Sequence, residues 1–507
     1  MTHDGLRLTP FRGLRYVPGK VGSLAAVTSP PYDVVVRPDQ VRLLETADPH
    51  NIVRLILPQG ADAAARDANA RTTLRTWRAE GVLAPDPRPA LYVYEQRKGE
   101  LLQRGLIGAL RLSPPEEGVV LPHEGVMPDV VEDRARLMRA TGANLEPLLL
   151  SYRGDGSGTG AAAVVERAVL RTPLLSTRTA DGFSHRLWSL TDPAELAEVD
   201  AELSRHRALI ADGHHRWATY LRLREEHCGQ EGNGGTRAHE GHGAREDGRD
   251  RADGPNADGP NSARTDAGSP WEYGLVLLVD TVRHPLRVQA IHRVLPRLPL
   301  ERALRAVESA DAFRVRDLGK PSLAQALDEL DALEESAGNA FLLTDGGGAF
   351  HLLHDPSARL LERTVEADRP AAWRRLDATV LHSVLLDRVW DVPDRPEDIG
   401  YIHDASAAVG KAAGTGGTAV LMRPVREEVV RELAEQGVTM PRKSTSFGPK
   451  PATGLVLRLL DEGTAPGGDA ASAEAEDPAS AEDSEPGEDP APRDDLAPGT
   501  DPAPRDG

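Results

Sequence analysis

A single cysteine, Cys228, among 507 residues excludes an internal disulfide and suits a reducing compartment. Aromatic residues make up only 4%, so a core has to be built from Leu, Val, Ile and Ala. No stretch approaches the roughly 18 consecutive apolar residues that a membrane helix requires. The first residues lack a basic segment followed by an apolar one, and a cytoplasmic location is expected. Lysine is scarce, six residues against 54 arginines. No basic stripe of the kind that grips a phosphodiester backbone runs through the chain, which argues against nucleic acid as a partner.

What the chain has in excess is acid, and most of it sits at one end. The net charge is −19, and −13 of it comes from Asp461 onward, where fifteen acidic residues face only Arg493 and Arg505. Residues 463–507 are mainly Pro, Ala, Asp and Glu; residues 229–269 are rich in Gly, Asp, Arg, Asn and Pro, with the near-repeat DGPNADGPNSA. Neither segment can bury enough apolar surface to offset chain entropy, so both are expected to be disordered, the first as an insertion into a surface loop and the second as a solvating tail. His239 and His242 lie in the insertion without a second pair of ligands and read as solvated rather than metal-binding. The folded core is expected over residues 8–460.

Within that core, short β-rich runs bounded by Gly, Pro or Asp occur at 51–57, 91–94, 106–112, 147–152, 273–279, 286–291, 340–343 and 419–422. Helical periodicity marks 65–79, 133–141, 196–207, 217–227, 323–336, 377–389 and 426–436. Residues 341–353 turn on Asp345-Gly346-Gly347-Gly348 and read as a hairpin, and 453–459 reads as a strand. The alternation is irregular, without a βαβ rhythm or a repeat. A mixed α/β (α+β) fold is expected.

Three polar segments carry candidate chemistry. The first is Asp212-Gly213-His214-His215-Arg216, where an apolar strand runs through a glycine turn into a helix. Such a junction gathers free backbone N–H groups and a positive helix end, which suits an anion. Arg216 adds a planar fork for phosphate, and Asp212, His214 and His215 can act as base, acid or metal ligand. A capped helix start would account for Asp212 and Gly213 but not for His-His-Arg. The second segment runs from Met440 to Pro451, and holds two of the six lysines, Lys443 and Lys450, with Ser444, Thr445 and Gly448 between them. It could cradle a phosphate or carboxylate, although the GxxxxGK[ST] order is absent; an exposed basic loop is the plainer alternative. The third is His123-Glu124, bent by Pro122 and Gly125, an acid/base pair or Mg²⁺ site on one reading and a turn before a helix on the other. Ser29-Pro30-Pro31-Tyr32-Asp33-Val34, Asn51-Ile52-Val53-Arg54 and Ile291-His292-Arg293 read as structural on spacing alone. Cys228 has no activating neighbour beyond His227 and is not expected to be a nucleophile.

In order along the chain, Phe11-Arg12-Gly13-Leu14-Arg15-Tyr16, Ser29-Pro30-Pro31-Tyr32-Asp33, Asn51-Ile52-Val53-Arg54-Leu55, Pro122-His123-Glu124, Asp212-Gly213-His214-His215-Arg216, Ile291-His292-Arg293, Pro441-Arg442-Lys443-Ser444-Thr445 and Phe447-Gly448-Pro449-Lys450 together resemble the bacterial family catalogued as domain of unknown function 1015. That family label implies no established activity. The strand, turn and helix around Gly213 and Arg216 also resemble the phosphate-binding box of the ParB and sulfiredoxin-like superfamily, whose Gly-x-x-Arg turn holds nucleotide phosphates. Its members include nucleotide-switched partition proteins, sulfiredoxin and kinases acting on free serine. This resemblance implies an anionic small-molecule ligand, a nucleotide with Mg²⁺ as cofactor, and phosphotransfer to a small polar metabolite such as serine or phosphoserine. Gly213, Arg216, Lys443, Ser444, Thr445 and Lys450 would then hold phosphate, with Asp212, His214, His215, His123 and Glu124 as the acid, base or Mg²⁺-binding groups. A nucleotide-binding switch without chemistry and a phosphomonoester hydrolase stay open beside the small-molecule kinase.

Overall fold

The computed structural model describes residues 5–35, 37–228, 269–333 and 338–460. The expected insertion at 229–269, except Ser269, and the expected tail at 463–507 lie outside the described residues.

The fold is mixed α/β. Among the described residues, the largest sheet places the strands Val120–Leu121, Ala208–Asp212, Leu148–Tyr152, Tyr273–Asp280, Leu101–Arg111, Leu91–Lys98, Ser184–Leu190 and Leu175–Arg178 in that order, with Leu8–Thr9 pairing beside Leu101–Arg111. The pairing is antiparallel except between Ala208–Asp212 and Val120–Leu121, and between Tyr273–Asp280 and Leu148–Tyr152. Both faces of this sheet are covered. Side chains alternate across it, so Tyr92, Ile107, Leu149, Leu209 and Leu277 enter one apolar cluster while Val93, Leu106, Leu150, Ile210 and Leu278 enter another. This explains why its strands read in sequence as continuous apolar runs rather than as alternating ones. The helices Gly160–Ala168, Pro193–Leu203 and His214–Cys228 close the second face through Val164, Val199, Trp217 and Leu223.

A six-stranded sheet follows in the chain, ordered Arg314–Asp317, His351–His354, Phe341–Thr344, Thr418–Leu421, His292–Leu295 and Gly400–Ile402. The expected hairpin on Asp345–Gly348 supplies its second and third strands, Leu342 pairing with Leu352. Phe341, Leu343, Leu353 and Val420 of this sheet, with Leu381, Val384 and Leu385, join the cluster on the first face of the large sheet. The expected helix at 377–389 begins as Asp377–Val380 and continues as a wide i→i+5 helix over Leu381–Trp390.

Three expectations are corrected. Residues 51–57 do not form a strand: Asn51 Oδ1 accepts from the Val53 N–H (2.9 Å), and this local turn starts the single helical turn Val53–Ile56. The run at 286–291 is not one strand. Arg287–Gln289 pairs with Ser446–Gly448, and the chain then crosses to the six-stranded sheet at His292. Strand pairing within 453–459 is confined to Leu457–Leu459 and a bridge from Thr453 to Ser29, because Gly454 adopts φ +101° between them.

Leu277 is fully buried in the middle of the large sheet. Leu277→Ala is expected to lower unfolding free energy by about 2–5 kcal/mol, read from the denaturant midpoint at unchanged slope.

Candidate functional site

The strand Ala208–Asp212 ends at Gly213, whose φ is +102°. A Cβ at this glycine would lie 2.4 Å from Leu148 Cδ2, so both the backbone angle and the space require glycine. The helix His214–Cys228 starts at the next residue, with no acidic side chain in its first turn. The backbone N–H groups there have no carbonyl one turn earlier to bond, and they give this point a positive field.

Asp212 and Arg216 close the turn. Arg216 Nη2 donates to Asp212 Oδ2 at 2.8 Å and Nη1 donates to the Pro147 carbonyl at 3.0 Å. The guanidinium expected to fork a phosphate is therefore engaged inside the protein, where it fixes the Asp212 carboxylate. The other oxygen, Asp212 Oδ1, is 2.5 Å from Lys450 Nζ, and the same ammonium also bonds Asp33. Lys450 thus lies between two aspartates. Burial, followed by the Asp33 charge, raises the Asp212 pKa. At Asp33, burial is outweighed by Lys450 and Arg216, and the pKa falls. Burial of Lys450 would ease its deprotonation, but the two aspartates dominate and hold it firmly charged. Glu146 completes the network from below. It is buried, raised in pKa by that burial, and accepts from the Tyr32 N–H (2.9 Å) and the Thr453 hydroxyl (3.1 Å).

The 123–127 loop sits over the same turn. The His123 N–H donates to His214 Nε2 at 3.3 Å, and the Met127 N–H donates to His215 Nε2 at 3.1 Å. Each histidine therefore uses one ring nitrogen to clamp this loop. His214 and His123 meet edge to face, with centroids 4.5 Å apart. Burial lowers both pKa values, His123 to about 3 and His214 well below its ordinary value. Both rings are neutral at pH 7. Glu124 hangs from this loop with Oε2 at 3.9 Å from His214 Nδ1 and Oε1 accepting the Thr445 hydroxyl at 3.1 Å. Thr445 also meets His123 Nε2 at 2.9 Å. Burial raises the Glu124 pKa, which moves this carboxylate toward the range useful for proton transfer.

The three polar segments therefore converge. Asp212–Arg216, His123–Glu124 and the loop from Lys443 to Lys450 touch one another through side chains. Lys443 differs from Lys450: its side chain is exposed, and among the described residues no carboxylate lies within ion-pair distance of it. Ser444 is turned to the carbonyl of Pro441. Sequence spacing treated Asp33, Tyr32 and Arg293 as structural, yet Asp33 is bonded to Lys450. The Tyr32 ring lies under the guanidinium groups of Arg134 and Arg216, at 4.6 and 5.7 Å. Glu146, His382 and His403 carried no local signal. Among the described residues no group of three or more His, Cys, Asp or Glu side chains could hold a metal ion.

The family described as Protein of unknown function (DUF1015) matches residues 8–379, which include two of the three segments. This chain belongs to that family. No curated protein matches it in sequence. Solved structures similar to this DUF1015 chain include a free serine kinase in complex with AMP, at 15% identity and a TM-score of 0.30, covering 68% of this chain and 90% of that one. A conserved hypothetical protein from Pyrococcus furiosus is 14% identical at a TM-score of 0.29, covering 68% and 93%. SbnI from Staphylococcus aureus, with a C-terminal truncation, is 9% identical at a TM-score of 0.31, covering 70% and 89%. Likeness at this level says nothing about chemistry, which rests on the geometry above. No helix among the described residues is long and apolar enough to cross a membrane.

Gly213→Ala is expected to cost about 1–3 kcal/mol from the backbone angle alone, more with the clash against Leu148, and chemical denaturation would measure it. A second expectation concerns pH. The folded-state pKa of His123 is depressed, so the stability from keeping this ring neutral is complete above about pH 6.5, the unfolded value, and is lost as pH falls toward about 3. The stability advantage of the native protein over His123→Gln should therefore shrink by about 2 kcal/mol between pH 7 and pH 5, read from urea unfolding at both pH values.

Proposed function

We propose that this protein binds a phosphate-bearing small molecule, a nucleotide, at the N-terminus of the His214–Cys228 helix and transfers a phosphoryl group to a small hydroxyl-bearing metabolite. The observation that carries this reading is the convergence, on one positive helix end, of the Lys443–Lys450 loop and the Glu124 carboxylate from elements far apart in sequence. The backbone N–H groups after Gly213 would receive phosphate oxygens. Lys443, with no carboxylate paired to it, would neutralise charge that develops on the transferred group. Glu124 would take the acceptor hydroxyl's proton as the new P–O bond forms and the bond to the departing phosphate oxygen breaks. Asp212, Asp33, Lys450 and Arg216 would form the rigid charged floor, and His214 and His215 would hold the loop that carries Glu124.

Mg²⁺ chemistry fits only in one form. Lys450 occupies the position between Asp33 and Asp212 that a cation bound by the protein alone would need. Mg²⁺ would instead arrive on the nucleotide phosphates, keeping several waters.

The test uses the purified full chain with Mg²⁺ and ATP, ADP, CTP or GTP, reading thermal protection and phosphoryl transfer, with free serine as the first acceptor. Protection by at least one nucleotide and turnover are expected, with Glu124→Gln lowering kcat by about 10²–10⁴-fold at little cost to nucleotide affinity. Neither protection nor turnover with any nucleotide overturns the reading. Protection without turnover marks a binding switch, and phosphate release from phosphoserine without nucleotide marks a phosphomonoesterase.

A further inference from the structure

Arg293 lies in the strand His292–Leu295 of the six-stranded sheet and is fully buried. Among the described residues no carboxylate lies within ion-pair distance of it. Asp394 and the Tyr401 hydroxyl act on it only through their fields, and burial lowers its pKa to about 10, so it stays charged at pH 7. A buried guanidinium without a carboxylate is costly. A hydrophobic side chain would serve the core better, so the contacts that Arg293 makes have to account for its presence. Its Nη1 donates to the Ile291 carbonyl, and its Nη2 lies 3.3 Å from His382 Nε2. The plane stacks on Tyr401 at 4.5 Å. The remaining bond leaves the sheet altogether: Nη2 donates to the Lys443 carbonyl at 3.0 Å.

Lys443 is where such a bond has an effect. Its φ is +55°, in the left-handed region that a side chain disfavours. The backbone angle aims the side chain, and its charge is felt by Glu124, His215 and His403. Resting on the reading of this site given above, we propose that Arg293 is a positioning residue that locks the Lys443 backbone and so holds the one unpaired lysine of the loop over the anion site. The two sheets then act together at the site. The large sheet carries the Gly213 turn, and the six-stranded sheet aims the cation opposite it.

His215 is a clean reporter. Besides burial, the largest influences on its pKa are the charges of Lys443, Asp33, Arg442 and Arg216. The experiment follows the His215 ring by NMR in ¹³C-histidine-labelled full chain, assigned with His215→Gln, alongside ADP affinity by calorimetry. Lys443→Ala should raise the His215 pKa toward its ordinary value. Arg293→Met should raise it comparably by releasing Lys443, and the double variant should move it no further than Lys443→Ala. If Arg293→Met does not fold, Arg293→Lys serves instead, since one ammonium keeps the charge but cannot span Ile291, His382 and Lys443. Arg293→Met should also weaken ADP binding, by roughly five- to tenfold, with no further loss once Lys443 is Ala. An unmoved His215 titration in the Arg293 variant, or an Arg293 effect on ADP that persists undiminished in the Lys443→Ala background, overturns the proposal. If the native protein binds none of ATP, ADP, CTP and GTP, the nucleotide reading falls, and the His215 titration still decides the role of Arg293; if it binds another of these but not ADP, the affinity comparison uses that nucleotide.

Discussion

Lys450 donates to Asp33 and Asp212 at once, and Arg216 holds the second oxygen of Asp212. Two carboxylates this close repel, and each would take up a proton rather than remain charged in a buried place. The shared ammonium offsets that repulsion, lowering the Asp33 pKa and opposing the rise at Asp212, and it draws the N-terminal loop, the end of the strand Ala208–Asp212 and the C-terminal loop to one point. The pair is a structural ion network first. Lone buried charges would be costly, whereas paired and hydrogen-bonded ones specify a unique arrangement.

Around this floor the groups divide by how much of their bonding capacity the protein uses. Arg216, Lys450, Asp212 and the Nε2 atoms of His214 and His215 are engaged internally. Lys443 is exposed, and Glu124 accepts the Thr445 hydroxyl through Oε1. Burial has removed most of the basicity of His123 and His214, while raising that of Glu124. The environment therefore reverses the ordinary ranking of the neighbouring pair: Glu124, raised by burial, is a better proton acceptor than His123, held at about 3.

Strand positions in the large sheet were readable because burial on both faces demands continuous apolar runs, as at Leu148–Tyr152 and Tyr273–Asp280. The same criterion misread residues 51–57, where Asn51 bonds its own backbone and turns an apolar run into a helical turn. Local periodicity cannot register such a competition, nor the break at Gly454.

The site shows the same division. A glycine between a strand and a polar helix start, and two of the chain's six lysines within eight residues of one another, are legible in one dimension. Tertiary structure alone decided which charges neutralise one another. That Arg216 also reaches the Pro147 carbonyl rather than solvent, that Lys450 is paired while Lys443 is not, and that Arg293 of a different sheet reaches the Lys443 carbonyl all depend on distances between elements remote in the chain. Coulomb and hydrogen-bond energies fall off with those distances, and sequence order does not encode them.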